Sequence, residues 1–331
     1  MLNEKSIVRA NALCAVVGCL AIMAGRSLDV AEAQASPTRD QSPSPALKVV
    51  LLGTGVGPLM DLEQYGASTL VEAGSIRLLF DCGRGATMRL AQAGVPFGTL
   101  NRLFLTHLHS DHVIQIPDLL LTGWLGTGAR RVPLEVWGPH GTRAMMDRLL
   151  EAFSFDIHMR RDVDEKVDGE GIKVVSHDIE QGVILDEQGV KVTAFLVDHR
   201  PVEPAFGYRI DYGGRSVALS GDTRVSENLI KFAQGVDVLV HEVLDADAFR
   251  GRASGANREA IEAVIAHHTT PEQAGEVFSR VKPRLAVYSH AQNSEAVITQ
   301  TRRTYSGPLQ GPEDLLTIEV GQTIEVHHFA R

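Results

Sequence analysis

The residues best suited to chemistry lie in the segment from Leu103 to His112, where an apolar run leads directly into three histidines and an aspartate. His107 and His109 are two residues apart, so both project from the same side of an extended backbone. Asp111 and His112 follow, where we expect the chain to bend. Imidazole and carboxylate groups are ligands for zinc and similar divalent cations. This density of ligand groups predicts a metal site, with enough ligands for two ions, rather than a polar turn.

Three further residues of the same chemical types follow predicted strands. They are His199 after the strand at 190–197, Asp222 after 216–219 and His290 after 285–288. A single histidine or aspartate at any of these positions would by itself be more typical of a structural role.

The elements that must position these residues are predicted from periodicity. Short β-branched or apolar runs predict strands at 48–52, 68–73, 76–80, 102–106, 134–137, 172–177, 190–197, 208–212, 216–219, 236–240, 285–288, 315–320 and 322–326. Helical periodicity occurs at 84–93, 113–121, 141–153, 226–233, 271–281 and 293–305. Helices are interspersed among clusters of strands, which favours two packed sheets flanked by helices over one doubly wound sheet.

The pattern His107-x-His109-x-Asp111-His112 resembles the hallmark of the metallo-β-lactamase superfamily. Its likeness is closest to the ribonuclease Z-like branch, which also holds arylsulfatases and phosphodiesterases. Further segments that carry the likeness are 53–55, 80–85, 206–210, 220–223 and 288–290. The resemblance covers nearly all of the chain after its N-terminal segment. It implies an α/β fold, a four-layer αβ/βα sandwich with the metal ions at one edge between the sheets.

The resemblance also implies how the ligands divide between two divalent metal ions, for which zinc is the expected metal. One ion would be held by His107, His109 and His199, and the other by Asp111, His112 and His290. Asp222 would bridge them, because a carboxylate has two oxygens and can serve both ions. Two ions roughly 3.5–4 Å apart can hold a bridging hydroxide as the nucleophile and lower the pKa of its parent water. Manganese and iron accept similar ligand sets.

The remaining chemical need is a proton for the leaving group. The segment His267-His268-Thr269-Thr270 resembles the motif that supplies the proton donor in ribonuclease Z-like enzymes, which makes His268 the expected donor. Glu242 lies in a second segment that resembles a motif of that branch, and it would orient His268. The family continues after this glutamate with small and hydroxylic residues, whereas Val243 and Leu244 follow here. The catalytic candidates are therefore His268, Glu242 and Asp111.

The expected activity is metal-dependent hydrolysis of an ester. Segments 267–275 and 283–290 resemble exported arylsulfatase-like proteins, so we expect aryl sulfate or phosphodiester hydrolysis of a small molecule. A lactonase or β-lactamase, and a protein that binds metal or ligand without turnover, are the alternatives. The net charge of −9 argues against a nucleic acid partner. Ribonuclease Z proteins also insert a long tRNA-grasping arm between the third histidine and the bridging aspartate, and only 200–221 separate His199 from Asp222.

The N-terminal segment has the composition of an export signal. Lys5 and Arg9 precede an apolar run at 10–25, and the small residues at 33–35 suit a signal peptidase. We therefore expect a cleaved signal at 1–35, a Ser- and Pro-rich flexible leader at 36–46 and a hydrolase domain at 47–331. The expected location is periplasmic or secreted.

Alternatives to a cleaved signal stay open on the sequence. A membrane anchor is disfavoured because the apolar run is short for a spanning helix, which needs roughly 20 residues. The segment ending at Cys19 loosely resembles a lipoprotein signal, so lipidation there is a second alternative. Without either, we expect no membrane attachment after cleavage. Oligomeric state is undecided, and a homodimer stays open.

Overall fold

The computed structural model of the protein describes residues 47–329 apart from 59, 127, 253, 254, 256 and 293. The predicted signal and leader lie outside the described residues. The strands are β1 Leu47–Gly53, β2 Ser68–Ala73, β3 Ile76–Phe80, β4 Arg102–Phe104, β5 Leu134–Gly138, β6 Val174–Asp178, β7 Gly182–Glu187, β8 Val190–Leu196, β9 Phe206–Tyr212, β10 Arg215–Leu219, β11 Val238–Val243, β12 Leu285–Ala291, β13 Leu309–Gln310, β14 Leu316–Val320 and β15 Ile324–His327. The α-helices are α1 Ala86–Gln92, α2 Ser110–Val113, α3 Ile116–Trp124, α4 Thr142–Ala152, α5 Ser154–His158, α6 Glu227–Phe232, α7 Ala246–Arg252, α8 Arg258–Ile265, α9 Pro271–Val281 and α10 Glu295–Thr301.

The strands form two mixed sheets. The first has the order β15-β14-β1-β2-β3-β4-β5-β6, and its half from β3 to β6 is parallel. The second has the order β13-β12-β11-β10-β9-β8-β7, and its half from β10 to β13 is parallel. In α/β proteins, functional groups gather outside the carboxyl ends of parallel strands. Each sheet therefore has a region of this kind, at the carboxyl ends of its parallel strands.

Side-chain alternation along the strands builds the layers. In β1, Leu47, Val49 and Leu51 join the core cluster between the two sheets, whereas Val50 and Leu52 join a cluster formed with the helices on the outer face. Helices α1, α3 and α4 cover the first sheet, and α6, α9 and α10 cover the second. Both sheets are thus buried on two faces. The result is the predicted four-layer αβ/βα sandwich.

The structure differs from the predicted elements in several places. The helix predicted at 113–121 is two helices, α2 and α3, because Pro117 lies in the first turn of α3 and a proline is disfavoured inside a continuous helix. Strands β7 and β13 and helices α5, α7 and α8 were not predicted. Most other predicted elements occur with ends shifted by one to three residues, and the bounds of β2, β3 and α9 are as predicted.

The segment between His199 and Asp222 contains β9 and β10, which pair as an antiparallel hairpin. Its turn is formed by Gly213 and Gly214. This segment is therefore part of the second sheet and carries no inserted arm. Among the described residues, no helix is both long enough and apolar enough to cross a membrane.

A glycine is required immediately before Asp222. Gly221 has φ +61, and a Cβ built there lies 2.6 Å from the carbonyl oxygen of Phe206. We expect Gly221→Ala to reduce the free energy of unfolding by more than Gly235→Ala. Gly235 has φ +65 but no atom within 4 Å of a built Cβ. Gly235→Ala therefore costs only the strain of an alanine in the left-handed backbone conformation, about 1–2 kcal/mol. Urea unfolding of both variants measures the difference, and equal losses would show that packing around Gly221 is tolerant.

Candidate metal centre and active site

The candidate site lies where strand ends of the two sheets approach each other. His107 lies three residues after the end of β4 in the first sheet, and His109 forms the N-cap of α2. Asp111 and His112 lie inside that helix. From the second sheet, His199 and Asp222 come shortly after β8 and β10, and His290 lies near the end of β12. The structure therefore brings all seven predicted ligand residues to one region.

Six of the seven side chains lie in two groups that match the predicted division, among several overlapping groups of similar spacing. The ligand atoms of His107, His109 and His199 lie within 4.8 Å of one another. The ligand atoms of Asp111, His112 and His290 also lie within 4.8 Å of one another. Both groups have the spacing of side chains that can coordinate one ion each.

Asp222 lies between the two groups. Its Oδ2 atom is 3.8 Å from Nε2 of His107 and 3.5 Å from Nε2 of His290. Its Oδ1 atom is 3.4 Å from Nε2 of His112. One carboxylate thus contacts imidazoles of both groups. This is the position expected for a bridging ligand.

Several polar atoms at this point have no hydrogen-bond partner. Nε2 of His107, Nε2 of His112 and Oδ1 of Asp222 are buried and have none among the described residues. Unpaired buried polar groups are costly and rare in folded proteins. Cations coordinated by these atoms would remove that cost, and the His and Asp donor set suits zinc. The residues therefore fit two divalent metal ions, and the assignment of each ligand stays a prediction.

A network behind the cluster fixes the orientation of His112. Asp81 Oδ2 lies 2.8 Å from Nδ1 of His112 and accepts a hydrogen bond from the Thr106 hydroxyl. Asp81 Oδ1 accepts a hydrogen bond from the Thr106 backbone N–H at 2.8 Å. Because the carboxylate can only accept, Nδ1 of His112 carries a proton, and Nε2 is the nitrogen that would coordinate a metal ion once it loses its own proton. His199 is oriented similarly, since its Nδ1 lies 3.2 Å from the carbonyl oxygen of His267.

The local charges at the site are strongly coupled. Burial by itself would raise the pKa of Asp222, but His290, His112 and His107 hold it well below its ordinary value. Burial opposes a proton on His112, yet the carboxylates of Asp222 and Asp81 raise its pKa well above the ordinary value. Burial lowers the pKa of His107 well below its usual range. Asp222 thus carries negative charge, and protons on the neighbouring imidazoles of His112 and His290 balance it.

A β-bulge turns His290 into the site. His241 pairs with Tyr288 and Val243 pairs with Ala291, so β12 has one more residue than β11 between these pairs. A bulge leaves the extra residue unpaired and re-aims a side chain. His290 has φ 47, an uncommon conformation for a residue other than glycine. Strain of this kind concentrates at functional sites.

His268 lies beside the metal candidates, as predicted for the proton donor. Its Nδ1 atom is 3.2 Å from Oε1 of Glu242, and its ring stacks on that of His290 at 5.6 Å. Oε1 of Glu242 also accepts hydrogen bonds from the backbone N–H groups of Thr223 and Thr269, both at 3.1 Å. These contacts fix the carboxyl group of Glu242. Glu242 thus lies next to His268 despite the departure at Val243, and its orienting role stays a prediction.

The surroundings of His268 and Glu242 disfavour the charged form of both side chains. Burial lowers the pKa of His268 to about 4, and burial together with Asp222 raises the pKa of Glu242 well above its usual value. One proton shared between them can lie on His268 without adding net charge to the buried pair. The arrangement therefore suits the release of a proton from His268 toward a leaving group.

A cleft next to the metal candidates was missed by the sequence analysis. It has a volume of about 400 Å³, and its apolar lining residues include Val56, Phe249, Ile261 and Val264. Three of these residues belong to α7 and α8. The signals for α8 are present in the sequence, since Asn257 caps the helix through the N–H of Glu259 and the apolar residues have helical spacing.

The comparisons with known proteins agree with this geometry. The Beta-lactamase superfamily domain matches residues 76–291. The chain belongs to the metallo-β-lactamase superfamily. A protein named ribonuclease Z from Mycobacterium sp. (strain KMS) is 38% identical over 245 residues, which cover 74% of this chain and 84% of the relative. Another ribonuclease Z, from Mycobacterium bovis (strain BCG / Pasteur 1173P2), is 34% identical over 282 residues, which cover 83% of this chain and 98% of the relative.

These relatives assign the chain to the ribonuclease Z-like branch of the superfamily and make it a metal-dependent hydrolase that acts on ester bonds. The fold of the metallo-β-lactamase fold protein YhfI from Bacillus subtilis is similar, with a TM-score of 0.63, 18% identity and coverage of 82% of this chain and 98% of that chain. The short form of human tRNase Z has a TM-score of 0.61, 23% identity and coverage of 82% and 99%. At these identities the two structures support the fold alone.

The comparisons also correct one expectation. A small-molecule ester substrate with no nucleic acid partner was predicted, and that prediction is wrong because the relatives are named as ribonucleases. The prediction relied on the net charge of −9, which is a sum over the whole chain. A divalent metal ion is the largest charge in a site of this kind, so it can attract phosphate in an acidic protein.

The geometry predicts that Asp222 controls metal content. We expect Asp222→Asn to lower the metal bound per chain, because an amide is neutral and its nitrogen is no ligand for a divalent cation. The matched control is Asp237→Asn. Asp237 is equally a buried aspartate, but it lies at the start of β11 and accepts hydrogen bonds from Ser216 N–H and Arg284. Elemental analysis of the folded fractions measures the effect. Unchanged metal content in Asp222→Asn would contradict the bridging position.

Proposed function

We propose that the protein hydrolyses phosphodiester bonds of RNA, with two divalent metal ions, zinc by preference, at the seven-residue site. The observation that carries the proposal is the convergence of two ligand groups on Asp222 next to His268. Relatives that are 34–38% identical and named ribonuclease Z support RNA as the substrate. Two such ions, when bound, would lower the pKa of a water molecule and polarise the phosphoryl group.

The protein's own residues would supply orientation and a proton. Asp222 and the imidazoles around it would keep fixed positions around the reacting phosphate. Each of these side chains is positioned by a strand end or by a hydrogen bond. His268 would donate its proton to the oxygen of the departing nucleotide as the phosphorus–oxygen bond breaks. Glu242 would keep His268 in the orientation that this transfer needs, through the 3.2 Å contact with Nδ1.

Substrate recognition would differ from that of proteins with a tRNA-grasping arm. The segment between His199 and Asp222 is the β9–β10 hairpin of the sheet. RNA would therefore be held by the surface around the metal site, next to α7 and α8. We also propose a periplasmic or secreted location, on the basis of the export signal predicted at 1–35.

Substrate choice is tested with the purified, zinc-loaded protein. We expect cleavage of single-stranded RNA oligonucleotides and of bis(4-nitrophenyl) phosphate, loss of both activities with a chelator, and recovery with zinc. A tRNA precursor in the same assay shows whether folded RNA is also accepted. Hydrolysis of 4-nitrophenyl sulfate, a lactone or a chromogenic cephalosporin, with RNA left intact by protein that holds two metal ions, would overturn the proposal.

The proton-donor role predicts a specific effect of His268→Ala. Turnover should fall by about 10²–10⁴-fold, the usual contribution of general acid catalysis, while the metal content stays the same. His158→Ala is the control. His158 is exposed, contacts Asp162, and lies far along the chain from the candidate site residues. Kinetics on bis(4-nitrophenyl) phosphate and elemental analysis measure both properties. A parallel loss of metal would make His268 a ligand rather than the proton donor.

A further inference from the structure

The cleft beside the metal site has two different walls. One wall carries His109, Asp111 and Asp222 of the candidate metal centre together with His268. The apolar lining residues are Val56, Phe249, Ile261 and Val264, which belong to one hydrophobic cluster and form the apolar wall of the cleft. The cleft volume of about 400 Å³ lies near the lower end of the range of about 300–1,000 Å³ for small-ligand sites. It is therefore large enough for one flat group but not for a folded nucleic acid.

The apolar wall is separate from the core of the sandwich. Val56, Leu244, Phe249 and Ile261 form a hydrophobic cluster of their own, and Val264 packs against it. None of these residues belongs to the hydrophobic cluster between the two sheets or to the two clusters between a sheet and its helices. Helices α7 and α8 thus direct their apolar residues over the metal site rather than into the core. An ion pair between Arg250 and Glu262 at 2.8 Å joins the two helices on their polar side.

The polar groups of the cleft fit the edge of a nucleobase. Ser110 is exposed and His267 is half-buried, and both line the cleft. Among the described residues, no lysine or arginine lines it. The cleft itself therefore offers no side-chain cation to a second phosphate. A nucleobase has apolar faces and polar edges and carries no charge, so it matches both walls.

We propose that this cleft binds the nucleobase of the nucleotide next to the scissile phosphodiester, with Phe249, Ile261 and Val264 as the apolar wall. The wall would determine specificity by favouring phosphodiesters that carry a flat group on that side. The proposal rests on the proposed function, since it places a phosphodiester at the adjacent metal site. Its role is in binding, so changes there should affect KM more than kcat.

The test compares diesters that share one leaving group. Methyl 4-nitrophenyl phosphate, bis(4-nitrophenyl) phosphate and the 4-nitrophenyl ester of thymidine 5′-monophosphate all release 4-nitrophenol and all carry one negative charge. We expect the wild-type protein to bind the aryl and nucleoside esters with a lower KM than the methyl ester. Stacking of a base on an aromatic side chain, such as Phe249, contributes about a 5- to 100-fold difference when the aromatic side chain is removed.

Two variants and a matched control locate the effect. Val264→Ser makes the wall polar, and Phe249→Leu removes its ring while keeping an apolar side chain. Ile265→Ser is the control, because Ile265 is the next residue of α8 and is also partly buried, but it does not line the cleft. The two wall variants should lose most of the KM preference with unchanged metal content. Ile265→Ser should keep it.

The outcomes separate the two proposals. Turnover of all three esters without a KM preference, or a preference that survives in both wall variants, would overturn the cleft assignment and leave the phosphodiesterase proposal intact. No turnover of any ester by metal-loaded protein would overturn the proposed function and the cleft assignment with it. Calorimetric titration of thymidine 5′-monophosphate into the wild type and Val264→Ser gives a second readout. Equal affinities of the two proteins for this nucleotide would contradict the assignment of the apolar wall to the nucleobase.

Discussion

The buried carboxylate of Asp222 is the constraint on which the site depends. It contacts the imidazoles of His107, His112 and His290, and it is almost completely buried. Burying a carboxylate is costly unless positive charge lies close to it. The ligand nitrogens of His107 and His112 are likewise buried without hydrogen bonds. An arrangement of this kind is costly for an empty protein and favourable for a protein that holds two divalent cations.

The sandwich fold offsets this cost through its large core, because both sheets are buried on two faces. Each sheet contributes ligands from the segments that follow its strands, and the local backbone is adapted where direction matters. Gly221 permits the turn before Asp222, and the bulge in β12 aims His290. Asp81 fixes the tautomer of His112 from behind. The helices α7 and α8 then add an apolar wall that belongs to neither sheet.

The predictable part of the molecule is the part whose signals are local. The cluster from His107 to His112 follows an apolar strand within a few residues, and the alternation in β1 identifies both of its faces. Grouping His199, Asp222 and His290 with that cluster needed the family resemblance, because no local pattern states which strand ends meet. Helices α7 and α8 are short and contribute to no main core cluster, so periodicity over a long window missed them. The net charge misled the substrate prediction because it averages over surfaces far from the site.

The central claim is that seven side chains hold a pair of metal ions. X-ray diffraction from crystals of the zinc-loaded protein, recorded on both sides of the zinc absorption edge, tests it most directly. The account predicts two anomalous peaks, roughly 3.5–4 Å apart, with Asp222 between them. A single peak, or peaks away from His107, His199 and His290, would contradict it.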